Sequence, residues 1–216
     1  MDQRRTSSYP VNSTPAQMWE SRYGNDPGFV YGTEPNDFLK SAVEGLSVGT
    51  ALCLADGEGR NGVFLATLGH SVTSVDLSAN GMAKAKRLAH DQGVELTAVV
   101  ADLAEYDFGS QKWDLIVSIF AHTPPPIRNH IHSAIATALR PNGHFILEAY
   151  TPDQIGRGTG GPPVAELTMT LEGVRSELAG MSVTHGVEMI RPVVEGTGHS
   201  GDGAVVQVIA SPISVD

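Results

Sequence analysis

The chain has 216 residues, 41% hydrophobic and 18% charged, with a formal net charge of -10. The length suits one domain with a substantial core, and the composition is globular rather than disordered. The acidic balance excludes a non-specific nucleic-acid or anionic-membrane binder, because phosphates need a basic face.

Residues 1–12 are polar and without period, and read as a flexible tail lacking the apolar segment of a signal peptide. Thr14-Pro15-x-Gln17 is a helix start, with a capping threonine, a proline at the first helical position and a capping-box glutamine. The helix carries Trp19 and Tyr23 and stops by Gly24. Asn25 to Pro35 is turn-rich yet holds Phe29, Val30 and Tyr31, aromatic material that has to cover something. Asn36 caps a second helix reaching Glu44. Residues 13–46 thus form a helical, aromatic cap segment before a core of 47–216, the two making one domain.

The core alternates strand and helix. Strands are expected at 51–55, 71–75, 96–100, 114–120 and 144–150, with helices from Arg60 to Leu68, after the cap Ser78, and from about Arg128 to Leu139. Such alternation implies a parallel sheet covered on both faces. After a glycine- and proline-rich loop, Ile155 to Pro163, the apolar stripe Val164, Leu167, Leu171, Val174 and Leu178 predicts a helix ended by Gly180. Two strands follow, 183–191 and 204–210, with no helix between them, so they pair as a hairpin joined by residues 192–203. The single cysteine, Cys53, excludes an intramolecular disulfide and a cysteine-based zinc site, and the histidines show no metal spacing, so no metal is expected. No apolar run approaches the roughly 20 residues of a membrane span. A cytoplasmic location is expected.

The core turns on Leu52 to Gly62, LCLADGEGRNG. A strand runs into Gly57-x-Gly59-x-x-Gly62 and then a helix, the opening of a nucleotide-binding βαβ unit. The glycines alone match a dinucleotide fingerprint, but Asp56 and Glu58 lie where two phosphate charges would sit. Like charges within ~4 Å cost roughly 1 kcal/mol in water and several at a protein surface. No Lys-Ser or Lys-Thr follows, so a P-loop is excluded. A cationic ligand without phosphate suits the loop, and S-adenosylmethionine is one. Asp76, ending the second strand, is placed for ribose hydroxyls, and Asp102, ending the third, for the adenine amino group. Both lie at carboxyl strand ends, where open α/β sheets bind ligands.

These residues, with Gly57 to Asn61 and Asn142-Gly143, resemble those of class I S-adenosylmethionine-dependent methyltransferases, and are similar to small bacterial members of the tellurite and thiopurine type. The resemblance covers Trp19 to the end. It implies a Rossmann-like, doubly wound, seven-stranded, mostly parallel sheet whose last strand is antiparallel. It implies cofactor contacts at Gly57, Gly59, Asp76, Asp102 and Leu103 and near Phe120; Arg60 and Leu77, beside them in the chain, are expected to join these contacts. The family's usual loop would put an acid at Cys53 and a glycine at Ala55. Here the acids are Asp56 and Glu58, and Asp56 is the candidate for the methionine amine.

The expected activity is methyl transfer to a small-molecule acceptor by in-line displacement, leaving S-adenosylhomocysteine. A thiol or metalloid oxyanion is favoured over a hydroxyl, with no nucleic-acid or membrane partner. The alternatives are an NAD-type oxidoreductase, for which no catalytic Tyr-x-x-x-Lys is present, and a non-catalytic S-adenosylmethionine-binding protein. Such a transfer mostly requires alignment and exclusion of water. His122, after the fourth strand, is the candidate base or acceptor-orienting group, and Tyr150, ending the fifth, lines the same pocket. Arg191 reads as an anion site or a surface ion pair. Trp19 and Tyr31 are expected to cover the cofactor, an aromatic face near the sulfonium.

Overall fold

The structure, a computed structural model, describes residues 13–213. The expected tail, residues 1–12, lies outside the described residues. A seven-stranded sheet has the order β3-β2-β1-β4-β5-β7-β6. Its strands are β1 Thr50–Leu54, β2 Ser71–Asp76, β3 Thr97–Val100, β4 Trp113–Ile119, β5 Leu139–Tyr150, β6 Met181–Glu195 and β7 His199–Pro212. The first five pair in parallel, and β7 runs antiparallel between β5 and β6. This is the class I methyltransferase arrangement that the resemblance implies. Among the described residues no helix is long and apolar enough to cross a membrane.

The central strands are apolar on both sides because helices cover both faces. Leu52, Leu54, Ile116, Phe145 and Leu147 face one core with Ile131 and Ile135, while Ala51, Cys53, Leu115, Val117 and Ile146 face the other with Leu39 and Leu65. The helices supplying those partners are α2 Asp37–Ala42, α3 Arg60–Thr67 and α5 Pro125–Ala138. Helix α4 Ala79–Asp91 starts on Ser78, whose hydroxyl accepts from the Gly81 amide. Helix α1 Pro15–Asn25 has the expected reciprocal capping box between Thr14 and Gln17.

Three expected elements differ. Strand β5 begins at Leu139 rather than at residue 144. The helix anticipated from Val164 begins only at Leu171 (α6, Leu171–Glu177), capped by Thr170. Residues 164–170 are instead drawn onto the sheet: the Met169 amide donates to the Tyr150 carbonyl at 2.9 Å. A tertiary backbone bond there overrides the helical stripe, whose Val164 is exposed. The final hairpin is longer than expected because residues 192–195 and 199–203, which read as a loop, pair in the ladder, with Pro192 opposite Asp202 and Val193 opposite Gly201. Strand β6 is an edge strand, where proline loses no needed hydrogen bond.

Candidate functional site

The carboxyl ends of β1 to β4 lie side by side and bring the glycine loop, Asp76-Leu77, Asp102-Leu103 and Phe120 to one rim of the sheet. Two non-glycine residues just past strands there, Ala55 at φ 47° and Phe120 at φ 53°, hold left-handed backbone. Each such residue costs on the order of 1 kcal/mol or more, strain that collects at ligand sites. Ala55 stands where the related family loop has glycine.

The amides of the loop's first two glycines are turned inward rather than toward a ligand. The Gly57 amide donates to Asp76 Oδ2 and the Gly59 amide to the Asp56 carbonyl, both at 2.9 Å. A pyrophosphate site needs such N–H groups turned outward. The two loop acids are not the obstacle that the sequence indicates. Glu58 is held by Lys84 Nζ at 2.7 Å and by the Val30 amide at 2.7 Å. Asp56 accepts from Ser74 Oγ at 2.6 Å and the Gly62 amide at 3.2 Å. Burial pushes the Asp56 carboxyl up to about 7, against those two bonds. Asp56 therefore lies between the loop and β2, turned toward the sheet, rather than toward a ligand amine.

Gly59 is required by packing, since at φ 86° a Cβ would overlap Ala85. Gly57, at φ 59°, lies against the Tyr23 hydroxyl. Tyr23 is thus the aromatic residue over the loop, and sequence reading missed this role. Its helix α1 is pinned to α4 by Glu20, which accepts from Ser78 Oγ at 2.5 Å and the Asn80 amide at 3.0 Å. Trp19 stacks on Tyr23 at 5.5 Å, and the Arg22 guanidinium lies 5.1 Å from its ring centre, both on its own helix. Phe29 lies near Lys84 and Arg87 and packs with Val63 and Leu88. Asp76 is buried, its oxygens accepting from Gly57 and Ser78 amides, and burial raises its pKa. Asp102 is exposed, with one oxygen on the Ala104 amide at 2.9 Å. Leu77 and Phe120 are half-buried and Leu103 is buried.

Beyond Phe120 the rim becomes an aromatic cluster. Phe120 stacks on Tyr150 at 4.6 Å, His122 stacks on Tyr150 at 5.5 Å, and His199 meets Tyr150 edge-on at 5.2 Å. Tyr31 closes it, 4.8 Å from His199. His122 Nδ1 donates to the Leu167 carbonyl at 2.9 Å, which leaves Nε2 as an acceptor. Burial lowers the His122 pKa to about 4, so the ring is neutral at pH 7. Burial, then the nearby Glu195 and Glu148, push the Tyr150 phenol well up, so it stays a donor. His122 Nε2 and the Tyr150 hydroxyl are both buried, and neither has a hydrogen-bond partner among the described residues. Buried polar atoms are rarely left in that state.

A buried ionic network lies alongside. Asn36 Nδ2 donates to Glu148 Oε2 at 2.6 Å and to Glu195 Oε1 at 2.9 Å. Arg191 holds Glu148 through Nε at 2.7 Å and Nη2 at 2.5 Å, and Gln207 adds a bond at 2.7 Å. Arg191 is therefore in a buried pair rather than a surface one. Arg60 Nη2 holds Glu195 at 2.6 Å and Nη1 holds the Glu34 carbonyl at 3.2 Å. This corrects Arg60: its guanidinium clasps the cap segment to the hairpin, because Glu195 is the nearest buried carboxylate. Burial would raise the Glu195 pKa, but the His199 bond, Arg60 and Asn36 together hold it down to about 2. The Val30 carbonyl accepts from the Thr197 and Gly198 amides at 2.9 and 3.2 Å, which seals the cap loop onto the hairpin turn. Nothing at Asn36, Glu148 or Glu195 in the sequence marked this convergence, since Asn36 lies 112 and 159 residues from the two glutamates.

Residues 51–143 match the family model described as a methyltransferase domain. Among solved structures, one from work on converting a disulfide bond into a thioacetal group during echinomycin biosynthesis is 18% identical. It covers 91% of each chain with a TM-score of 0.75. TehB from Haemophilus influenzae is 17% identical over 90% of this chain and 67% of its own, with a TM-score of 0.67. The glycopeptide N-methyltransferase MtfA, complexed with S-adenosylmethionine, is 16% identical over 85% and 89%, with a TM-score of 0.59. No curated protein matches the chain.

Proposed function

We propose that this chain, which belongs to the class I S-adenosylmethionine-dependent methyltransferases, methylates a small neutral thiol or hydroxyl held between His122 and Tyr150. The observation that carries this reading is the pair of buried, partnerless polar atoms of opposite role, one acceptor and one donor. An X–H acceptor satisfies both: it donates to His122 Nε2 and accepts from the Tyr150 hydroxyl. Phe120 and Tyr31 supply the apolar walls that exclude water.

The metalloid-oxyanion option fits less well. An oxyanion needs an uncompensated cation, whereas Arg60, Arg128 and Arg191 are paired with Glu195, Glu177 and Glu148. A buried anion without such a cation loses its hydration with little return.

The chain's donor set fits S-adenosylmethionine, because the loop amides serve Asp76 and Asp56 rather than a phosphate. Bound there, the cofactor supplies an electrophilic methyl group on sulfur. Asp76 and Leu77 hold the ribose, Asp102 and Leu103 the adenine. Gly57 and Gly59 let the backbone come close, and Phe120 divides cofactor from acceptor. Tyr23 covers the loop beside Trp19.

Calorimetric titration with S-adenosylmethionine, S-adenosylhomocysteine and NADH, followed by a screen of thiols, phenols, tellurite and selenite, tests the reading. Micromolar binding of the first two and transfer to a thiol or phenol is expected. Transfer confined to the oxyanions refutes the acceptor class, and binding of NADH alone refutes the cofactor assignment as well.

A further inference from the structure

We propose that His199 is the base that takes the acceptor's proton, its Nδ1–H held by Glu195 and its Nε2 turned to the acceptor. The inference rests on the acceptor reading above. His199 opens β7 at the hairpin turn and is 7% exposed. Its ring is packed among Phe120 at 4.9 Å, Tyr150 at 5.2 Å and Tyr31 at 4.8 Å, the same rings that wall the acceptor position. Nδ1 lies 3.4 Å from Glu195 Oε2, and Nε2 makes no hydrogen bond to a described residue.

Two imidazoles therefore meet the cluster, and their orienting partners differ. The His122 ring leans on a neutral carbonyl, that of Leu167, while the His199 ring leans on a carboxylate. A buried imidazolium needs a counter-charge; a carbonyl dipole supplies only part of one. An imidazole whose other nitrogen is held by a carboxylate has its tautomer fixed and its basicity raised. His122 Nε2 accepts the acceptor's X–H as it docks, and for the transfer that one hydrogen turns to His199 Nε2, where the imidazolium formed has the Glu195 carboxylate beside it.

The step balances. The acceptor X–H bond breaks and the proton passes to His199 Nε2. The freed pair on X forms the bond to the methyl carbon, and the pair of the methyl–sulfur bond stays on sulfur. One positive charge is lost from the sulfonium and one appears on His199, next to Glu195. Burial lowers the His199 pKa and the Glu195 hydrogen bond raises it; the balance is downward, so the neutral base is present at pH 7. The titratable and charged groups around His199 are Glu195, Arg60, Arg22, Tyr31, Tyr150 and His122.

Two arms test this. Ring nitrogen NMR shifts of His199 in the full chain with S-adenosylhomocysteine report the tautomer without any turnover. A proton on Nδ1 is expected, and a proton on Nε2 overturns the proposal. Transfer rates are then compared for benzyl mercaptan, protonated at pH 7, and 4-nitrothiophenol, already ionised. His199→Gln is expected to lose about 100- to 1000-fold with the first and less than tenfold with the second. Equal losses with both thiols overturn the proposal, since a packing defect makes no distinction between them. Glu195→Gln, a change at a positioning residue, is expected to move the acid limb of kcat/KM to lower pH. No transfer by the wild type to either thiol, with S-adenosylmethionine bound, refutes the acceptor class instead, and the tautomer still decides the role of His199.

Discussion

Asn36 is the residue on which the cap segment is hinged to the sheet, and its chemistry can be taken apart by three substitutions. It is fully buried and makes three side-chain bonds: Oδ1 accepts from the Leu39 amide at 2.9 Å, and Nδ2 serves Glu148 and Glu195. Asn36→Ser keeps a good helix cap and removes both amide bonds. Hydrogen bonds to charged groups are worth about 1.5–3 kcal/mol each, and the arginines retain some of that, so a loss of about 3 kcal/mol is expected. Asn36→Ala loses the cap too, adding about 1 kcal/mol. Asn36→Asp keeps both shape and cap but sets an oxygen 2.6 and 2.9 Å from two carboxylate oxygens. At an effective dielectric near 20 each ionised contact costs about 6 kcal/mol, so the new carboxyl stays protonated when folded. Its folded pKa is raised, so the stability it keeps near pH 4 is lost as pH rises. The penalty grows by about 1.4 kcal/mol per pH unit up to that folded pKa. Urea unfolding of the three variants at pH 5.5 and 8, with m-values compared, measures this. If Asn36→Asp is no less stable than Asn36→Ser at pH 8, or the gap does not widen with pH, the assignment of the amide to the two carboxylates is refuted.

Gly59→Ala places a Cβ against Ala85, 2.8 Å from its Cα, at φ 86°. Strain and overpacking together are expected to cost about 2–4 kcal/mol in thermal unfolding and to weaken cofactor binding by calorimetry, with Ala85→Gly restoring only part. The Glu177 carboxyl is held down to about 2: burial would raise it, but bonds from His132 at 2.7 Å and Arg128 at 2.9 Å outweigh burial. Its folded pKa is depressed, so it contributes stability above pH 4.5, on the order of 1 kcal/mol once solvent screening of a partly exposed carboxyl is allowed for, that disappears as pH falls toward 2. Glu177→Gln should therefore flatten the acid side of the stability–pH curve, and an unchanged slope would count against the ion triad.

Much of this architecture is legible in the chain because local rules and the tertiary structure agree. Thr14 with Gln17, Ser78, and the strand running into Gly57 act over spans of a few residues, and each does in the fold what its spacing predicts. The places of His122 and Tyr150 on the rim were legible because a residue at or just past the end of a parallel strand has a predictable position. Asn36 was legible as a cap and illegible as the partner of Glu148, since nothing local encodes a bond across more than a hundred residues. Asp56 misled for a related reason: an acid in a loop reads as ligand-facing, and only the position of Ser74 on β2 turns it inward. The stripe from Val164 failed where one backbone bond, from Met169 to Tyr150, outweighed its helical period.

The seal between Val30 and the hairpin turn spans 167 residues of sequence. During synthesis the glycine loop and the strands around it emerge long before residues 195–199. Chains are made at about 5–20 residues per second, so several seconds separate the two. The glycine loop and its strands can therefore assemble early, but the cluster around His199 is enclosed only after residues 195–199 have emerged. Loss of either the Val30 loop or the turn at residues 195–199 removes one side of the same door.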